Sequence, residues 1–233
     1  MRCEPWRPWF TRLPSMELDP LTLLALAIES EGGAASTALV DATSDPPREM
    51  TLPQLISAAS RLADRIAGAL ARGAGAPEAT PSGGQPVDPP FVAVVAADGP
   101  LVVIGPLAAL LAGCAFVLCD PASPAERLRH VLHDTAAAAA LVPPVATLPA
   151  GSLPEAVAAV RRAAGGKVAV IEADAGEMLL GGEGGGAGGS GAGGGGSEGW
   201  ASRLRAAADG SRLACVCYTS GSALRGHFVD TSL

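Results

Sequence analysis

Apolar positions follow two different periods along this chain, and the change between them divides it. Leu21 to Ser30, LTLLALAIES, reads as an apolar helix entered through Asp19-Pro20, an N-cap residue and a first-turn proline. Thr37 to Val40 is a short strand candidate. From Thr51 to Leu70, Leu52, Leu55, Ile56, Ala59, Leu62, Ala63, Ile66 and Leu70 recur at helical spacing, with Arg61, Asp64 and Arg65 off that stripe. Thr51 with Gln54 beyond it has the form of a capping box. Arg72 to Pro90 is rich in Gly, Pro and Ala and reads as a loop.

After Phe91 short apolar runs alternate with helical segments. Phe91 to Ala96 is a continuous apolar run suited to a buried parallel strand. Leu101 to Ala112 follows as a buried helix, which Pro106 is expected to kink. Ala115 to Leu118 is the next strand; Asp120 is expected to stop it and cap the helix that Pro124 opens and that runs through Asp134. Ala136 to Val142 predicts a third strand, Leu153 to Ala164 a helix and Lys167 to Ile171 a fourth strand. Leu204 to Ala208 fits a short helix, and Leu213 to Tyr218 a fifth strand. This alternation predicts an α/β fold with a mostly parallel sheet flanked by helices. The uncharged stretch between Asp98 and Asp120 is long enough for a bilayer core. Gly105, Pro106 and Gly113 interrupt it, and it divides into helix and strand, so no membrane span is expected.

Composition narrows the function classes. Hydrophobic residues make up 48% of the 233 residues and aromatic residues only 3%, so the core must be built from Ala, Val, Leu and Ile. A net charge of −7 argues against non-specific binding to nucleic acid or an anionic membrane. A nucleotide site stays open, because backbone N–H groups can hold phosphates without bulk positive charge. The five cysteines, an odd number, have no spacing of a secreted disulfide framework, and reduced thiols point to the cytoplasm or an organelle interior. Residues 1–15 carry no secretory apolar segment and read as an unstructured extension, with Met16 an equally good start. The tract from Gly181 to Gly199 cannot bury enough apolar area to offset its ordering entropy, so it reads as a flexible insertion without chemistry.

The chemistry-bearing feature lies at the end of the fifth strand. Thr219, Ser220, Gly221 and Ser222 combine hydroxyl donors, a glycine that lets backbone approach an anion, and successive N–H groups able to form a nest for phosphate. Two other clusters have plain readings. His130 and His133, followed by Asp134, sit three apart on a predicted helix; no further cluster completes a tetrahedral metal site, so they read as solvent-facing. Cys215 and Cys217 alternate along a strand and put both sulfurs on one side; the expectation is packing, with a redox or metal pair as the alternative. Glu126 and Arg127 read as helix-surface residues.

Tyr218-Thr219-Ser220-Gly221-Ser222 after an apolar strand resembles the ATP-phosphate loop of adenylate-forming enzymes: acyl-CoA synthetases, firefly luciferase and nonribosomal peptide synthetase adenylation domains. Two other stretches agree in the same order. Met50 to Ala67 is similar to the family's early helix, and Leu110 to Leu128, LLAGCAFVLCDPASPAERL, is similar to its "LkAGaayvPLDPxxPxeRl" signature, with Gly113, Asp120, Pro121, Pro124, Glu126 and Arg127 in register. The resemblance implies a two-step reaction. A carboxylic or amino acid attacks the α-phosphate of ATP, with Mg2+ accompanying the nucleotide. A thiol of coenzyme A or a carrier protein then takes the acyl group. It also implies the domain order: residues 16–180 as the N-terminal α/β part, 200–222 as the last strand and the start of the phosphate loop, and 223–233 as a divergent tail.

The family loop continues with Thr-Gly, a variable residue and Pro-Lys-Gly, whereas here Ser222 is followed by Ala223-Leu224-Arg225-Gly226-His227. The second glycine and the loop lysine are missing from this register. Arg225 could offer charge to a phosphate, but its planar guanidinium is no equivalent of a lysine's compact ammonium. The tail has the character of an alternative splice end or a misjoined gene model. The resemblance thus implies an incomplete, inactive ligase, with a non-catalytic binding or regulatory chain as the alternative.

Overall fold

The structure, a computed structural model, describes residues 20–29, 35–72, 89–144, 168–174, 213–218 and 231–232, with positions 158, 160, 202 and 204. Outside the described residues lie the 1–15 extension, most of the Arg72–Pro90 loop, the 181–199 tract and most of the helices expected at 153–164 and 204–208. Of those helices Ala158, Val160 and Leu204 are described, and all are helical, as is Ser202 ahead of the second.

The chain opens with α1 (Pro20–Glu29), the strands β1 (Thr37–Asp41) and β2 (Arg48–Thr51), and α2 (Leu52–Ala71). β1 and β2 form an antiparallel pair. The sequence pattern places Met50 and Thr51 at the start of a helix and offers no β2; four residues without period-2 patterning are a strand only because β1 lies beside them. Gln54 anchors the entry to α2, its Oε1 accepting the Thr51 backbone N–H at 2.8 Å and the Thr51 hydroxyl at 3.2 Å. The buried face of α2 is broader than the expected stripe, adding Ala58, Ser60 and Ala69, because the helix packs on α3 and also on both small strands. Arg65, off the stripe, ties α2 to the sheet by donating to the Glu172 carbonyl at 2.6 Å.

The main body continues with β3 (Phe91–Val95), α3 (Leu101–Leu111), β4 (Ala115–Cys119), α4 (Ala125–Asp134), β5 (Ala139–Val142), β6 (Ala169–Glu172), β7 (Leu213–Val216) and β8 (Thr231–Ser232). The sheet has the order β6-β5-β3-β4-β7-β8. Its first five strands are parallel in space, and β8 runs antiparallel on the edge of β7. The fold is therefore α/β with a mostly parallel sheet, as the alternation predicts. The third strand begins at Ala139, later than expected, because Thr135 to Ala138 are consumed in leaving α4. α3 runs as one helix through Pro106.

Strand alternation sorts the core into two halves. Val92 and Val94, Ala139 and Leu141, and Ile171 face α1, α2 and α3, where Ile56, Leu62, Ile66 and Ile104 are buried. Ala93 and Val95, Val117 and Cys119, and Ala140 and Val142 face Leu128, Val131 and Leu132 of α4, together with Val160. α3 approaches β3 closely at Gly105: a Cβ there would lie 2.8 Å from Val94 Cγ1.

Both flanking helices end in the same hydrogen-bond pattern. After α3, Gly113 N–H donates to the Leu110 carbonyl and Cys114 N–H to that of Ala109, each at 2.9 Å. After α4, Ala136 N–H donates to the His133 carbonyl at 3.1 Å and Ala137 N–H to that of Leu132 at 3.0 Å. This ending needs a left-handed residue, usually glycine. Gly113 supplies it with φ of 74°, whereas the second helix uses Ala136 at 46°.

Candidate functional site

Consecutive connections leave the sheet toward opposite faces at one place. The loop after β3 leads to α3 on one face, and the loop after β4 leads to α4 on the other. β3 and β4 are neighbours, so the place beyond their C-terminal ends is the switch point of the sheet, where open parallel sheets usually have their ligand crevice. Ala96 N–H donates to the Cys119 carbonyl at 3.1 Å and holds the two strand ends together. β7, on the other side of β4, points in the same direction and leads into Tyr218. The predicted phosphate-loop residues Thr219, Ser220, Gly221 and Ser222 lie outside the described residues, as does most of the 223–233 tail.

What borders that end of the sheet is well defined. Asp120 is not the cap of α4; its Oδ1 accepts the Ala122 N–H at 2.8 Å, and its carbonyl accepts the Ser123 N–H at 3.0 Å. It closes the Asp120–Ser123 turn, with Pro121 suited to the second position, and leaves Pro124 to precede the helix. Asp41 does similar work after β1. Its Oδ1 accepts the Thr43 hydroxyl at 2.6 Å and the Thr43 N–H at 3.0 Å, and its Oδ2 accepts the Ser44 hydroxyl at 3.1 Å. Donation by the Thr43 hydroxyl above all holds the Asp41 carboxyl below its ordinary pKa. This turn lies against the β3–α3 loop, since a Cβ on Gly99 would come within 3.6 Å of Thr43 Oγ1.

Tyr218, the last described residue before the phosphate-loop positions, packs its ring against the α4 half of the core and donates its hydroxyl to Asp134 Oδ2. Burial first, then the bond to Asp134, pushes the phenol pKa well up. Asp134, weighed above as part of a histidine cluster, is thus a hydrogen-bond partner for the strand that leads to the loop. Sequence reading missed this link because the partners are far apart in the chain. The Asp41 turn was visible in principle, since Asp-x-Thr-Ser after a strand is a side-chain-capped turn.

The remaining candidates separate. His130 and His133 are exposed on α4, as expected, and so are Glu126 and Arg127. Glu126 meets Arg129 at 3.9 Å, a solvated pair of little energetic weight. Cys114 and Cys119 are buried, which pushes their thiols up to about 11 and about 12. Cys215 is half-buried, but Cys217 is exposed, so packing does not account for it; the strand ends at Val216 and the next side chain on that side reaches solvent. Among the described residues no three His, Cys, Asp or Glu side chains gather to hold a cation. No helix among them is long and apolar enough to cross a membrane.

Comparison with solved structures places the fold. The fatty acyl-adenylate ligase from L. pneumophila, in complex with acyl adenylate and pyrophosphate, matches with a TM-score of 0.53 at 16% identity, over 91% of this chain and 30% of the ligase. The luciferase-like enzyme from the nonluminescent Zophobas morio mealworm matches with a TM-score of 0.51 at 14% identity, over 87% of this chain and 40% of that one. Apo MatB from Rhodopseudomonas palustris matches with a TM-score of 0.50 at 14% identity, over 86% and 32%. These identities speak to the fold, and the chain spans less than half of each protein. No curated protein sequence matches it significantly. A family profile described as AMP-binding enzyme matches residues 34–223, a range running from ahead of β1 through β7 to the predicted phosphate loop. By that match over most of its length, the chain belongs to the AMP-binding enzyme family.

Proposed function

We propose that this chain is the N-terminal part of an adenylate-forming acid–thiol ligase and that Thr219 to Ser222 hold ATP phosphates. The observation that carries the reading is the family match through residue 223, which takes in the whole of that loop. Support also comes from β7, which points toward the crevice side of the sheet and has Tyr218 tied to α4 just ahead of the loop. In this reading the hydroxyls of Thr219, Ser220 and Ser222 and the loop N–H groups donate to phosphate oxygens, and Gly221 lets the backbone come close. The reaction is attack of a carboxylate, from a carboxylic or amino acid, on the α-phosphorus, with pyrophosphate leaving. Coenzyme A or a carrier-protein thiol then attacks the acyl carbonyl and AMP leaves. Mg2+, when bound with ATP, neutralises phosphate charge.

We further propose that the 233-residue chain does not complete this chemistry. After Ser222 the register of the family lysine holds no lysine, so less positive charge meets the developing phosphate charge. The test is paired on purified protein. A fluorescent ATP analogue should bind, and Ser220→Ala or Gly221→Val should weaken that binding. Pyrophosphate exchange into ATP, with mixed carboxylic and amino acids, should stay at background. Absence of nucleotide binding sinks the phosphate-loop reading; exchange abolished by Ser220→Ala sinks the claim of inactivity.

A further inference from the structure

The register of β7 against β4 ends at Val216, so Tyr218 lies two residues past the last paired position. From there its side chain makes the attachment. The ring packs against the α4 half of the core, and the hydroxyl donates to Asp134 Oδ2. A phenylalanine would keep the ring packing; only the hydroxyl calls for a polar partner.

Asp134 stands where local rules disfavour it. It is the last residue of α4, and a carboxylate at a helix C-terminus meets the negative end of the helix dipole. His133 beside it is the residue type that such an end prefers. The backbone next to Asp134 is nevertheless firmly held. The Thr135 hydroxyl donates to the Val131 carbonyl at 2.7 Å, and the Thr135 N–H to the same carbonyl at 3.0 Å. Ala136 then takes the left-handed conformation, with φ of 46°, and Ala137 N–H reaches the Leu132 carbonyl at 3.0 Å. A second local rule is broken there, since glycine is the usual residue. The carboxylate does nothing for its own helix, but it reaches Tyr218 across 84 positions of chain. Local rules are broken where a residue serves something beyond its own element.

We infer that Asp134 is a positioning residue for nucleotide binding: by holding the Tyr218 hydroxyl it fixes the residue from which Thr219 to Ser222 start. The inference rests on the phosphate role proposed above for those four residues. Asp134 acts through Tyr218 and not on the phosphates, which its own negative charge would repel. Without Asp134 a smaller fraction of chains holds Tyr218 in place, and the apparent affinity falls by that fraction.

The probe is the fluorescent ATP analogue, titrated into the full chain. Asp134→Ala and Tyr218→Phe should each weaken binding by about 2- to 3-fold, the weight of one solvated hydrogen bond. The double variant should be no weaker than either single one, because both remove the same bond. Asp134→Asn, whose amide oxygen still accepts, should recover most of the loss. Stability should not follow affinity. Asp134→Ala also removes a charge from the wrong end of α4 and adds a better helix former, so its urea midpoint should stay nearly unchanged. Tyr218 is the chain's one tyrosine, so tyrosine labelled at its ring Cζ gives a single NMR resonance. Asp134→Ala should shift that resonance with or without nucleotide. An unmoved resonance overturns the inference, as do additive losses in the double variant. Unaltered binding by Asp134→Ala beside weakened binding by Ser220→Ala overturns it and leaves the phosphate-loop reading standing. No binding by the unmutated chain overturns both.

Discussion

The two faces of the sheet are finished in different ways. One carries α3, LVVIGPLAALL, which has no charged residue and is covered in turn by α2. The other carries α4, AERLRHVLHD, which turns Leu128, Val131 and Leu132 inward and its charged residues outward. A helix apolar on every side needs a second layer, and α2 provides it; an amphipathic helix closes its face alone. The same contrast explains the ambiguity of the stretch between Asp98 and Asp120. Its hydropathy suits a bilayer, but here the sheet on one side and α2 on the other take the place of lipid.

The contact between α3 and β3 is where this comparison breaks most readily. Gly105→Leu should destabilise the fold by about 3 kcal/mol, because Val94 is a stiff β-branched neighbour that cannot swing away. Chemical denaturation measures the loss, and part of it should return in a Val94→Ala background. An unchanged midpoint would mean that α3 does not pack so closely.

Alkali should weaken both faces through their buried thiols. Cys114, on the α3 side, and Cys119, on the α4 side, are raised to about 11 and about 12 in the folded chain, against about 8.5 when unfolded. Their raised folded values mean that the protonated thiols contribute fully below the unfolded pKa. The contribution is lost as pH climbs from about 8.5 through the folded values. Melting temperature should fall over that range, and Cys119→Ala should flatten the fall more than Cys114→Ala. Asp41 gives the opposite sign: its lowered pKa contributes above about 3.9 and is lost as pH falls through the folded value. Asp41→Asn should remove that acid sensitivity.

The two helix ends sharpen the comparison by about 1 kcal/mol in opposite directions. Gly113→Ala should cost that much, and Ala136→Gly should add it, since a Cβ in the left-handed region is strained in the same hydrogen-bonded ending. Equal responses of the same sign would show that neighbours, and not φ, set these ends.

The smallest effects concern single polar groups. Tyr218→Phe should cost about 0.5 kcal/mol, the low end for an ordinary hydrogen bond and below the range for a charged partner, because Asp134 is exposed and stays solvated. Ser60, buried on α2, has no hydrogen-bond partner for its hydroxyl among the described residues. Ser60→Ala should therefore be neutral or stabilising by about 0.5 kcal/mol, the reverse of an ordinary buried-serine loss. Both are within reach of replicate urea titrations.

The amino-acid sequence by itself determined the periods: where α1, α2, α3 and α4 lie, which runs become β3, β4, β5, β6 and β7, and that a parallel sheet must join them. Those properties are local, set by alternation, caps and turn residues within a dozen positions. Its motifs also carried the family resemblance that the profile match shows. Tertiary structure decided the rest. β2 and β8 are strands only because β1 and β7 lie beside them, and strand order follows from which helix covers which face. Asp134 is a partner for Tyr218 across 84 positions of chain, a distance over which no local pattern acts. Cys217 is exposed one residue past the end of β7. Burial and pairing at long range depend on what the folded chain brings alongside, and periodicity carries no record of it.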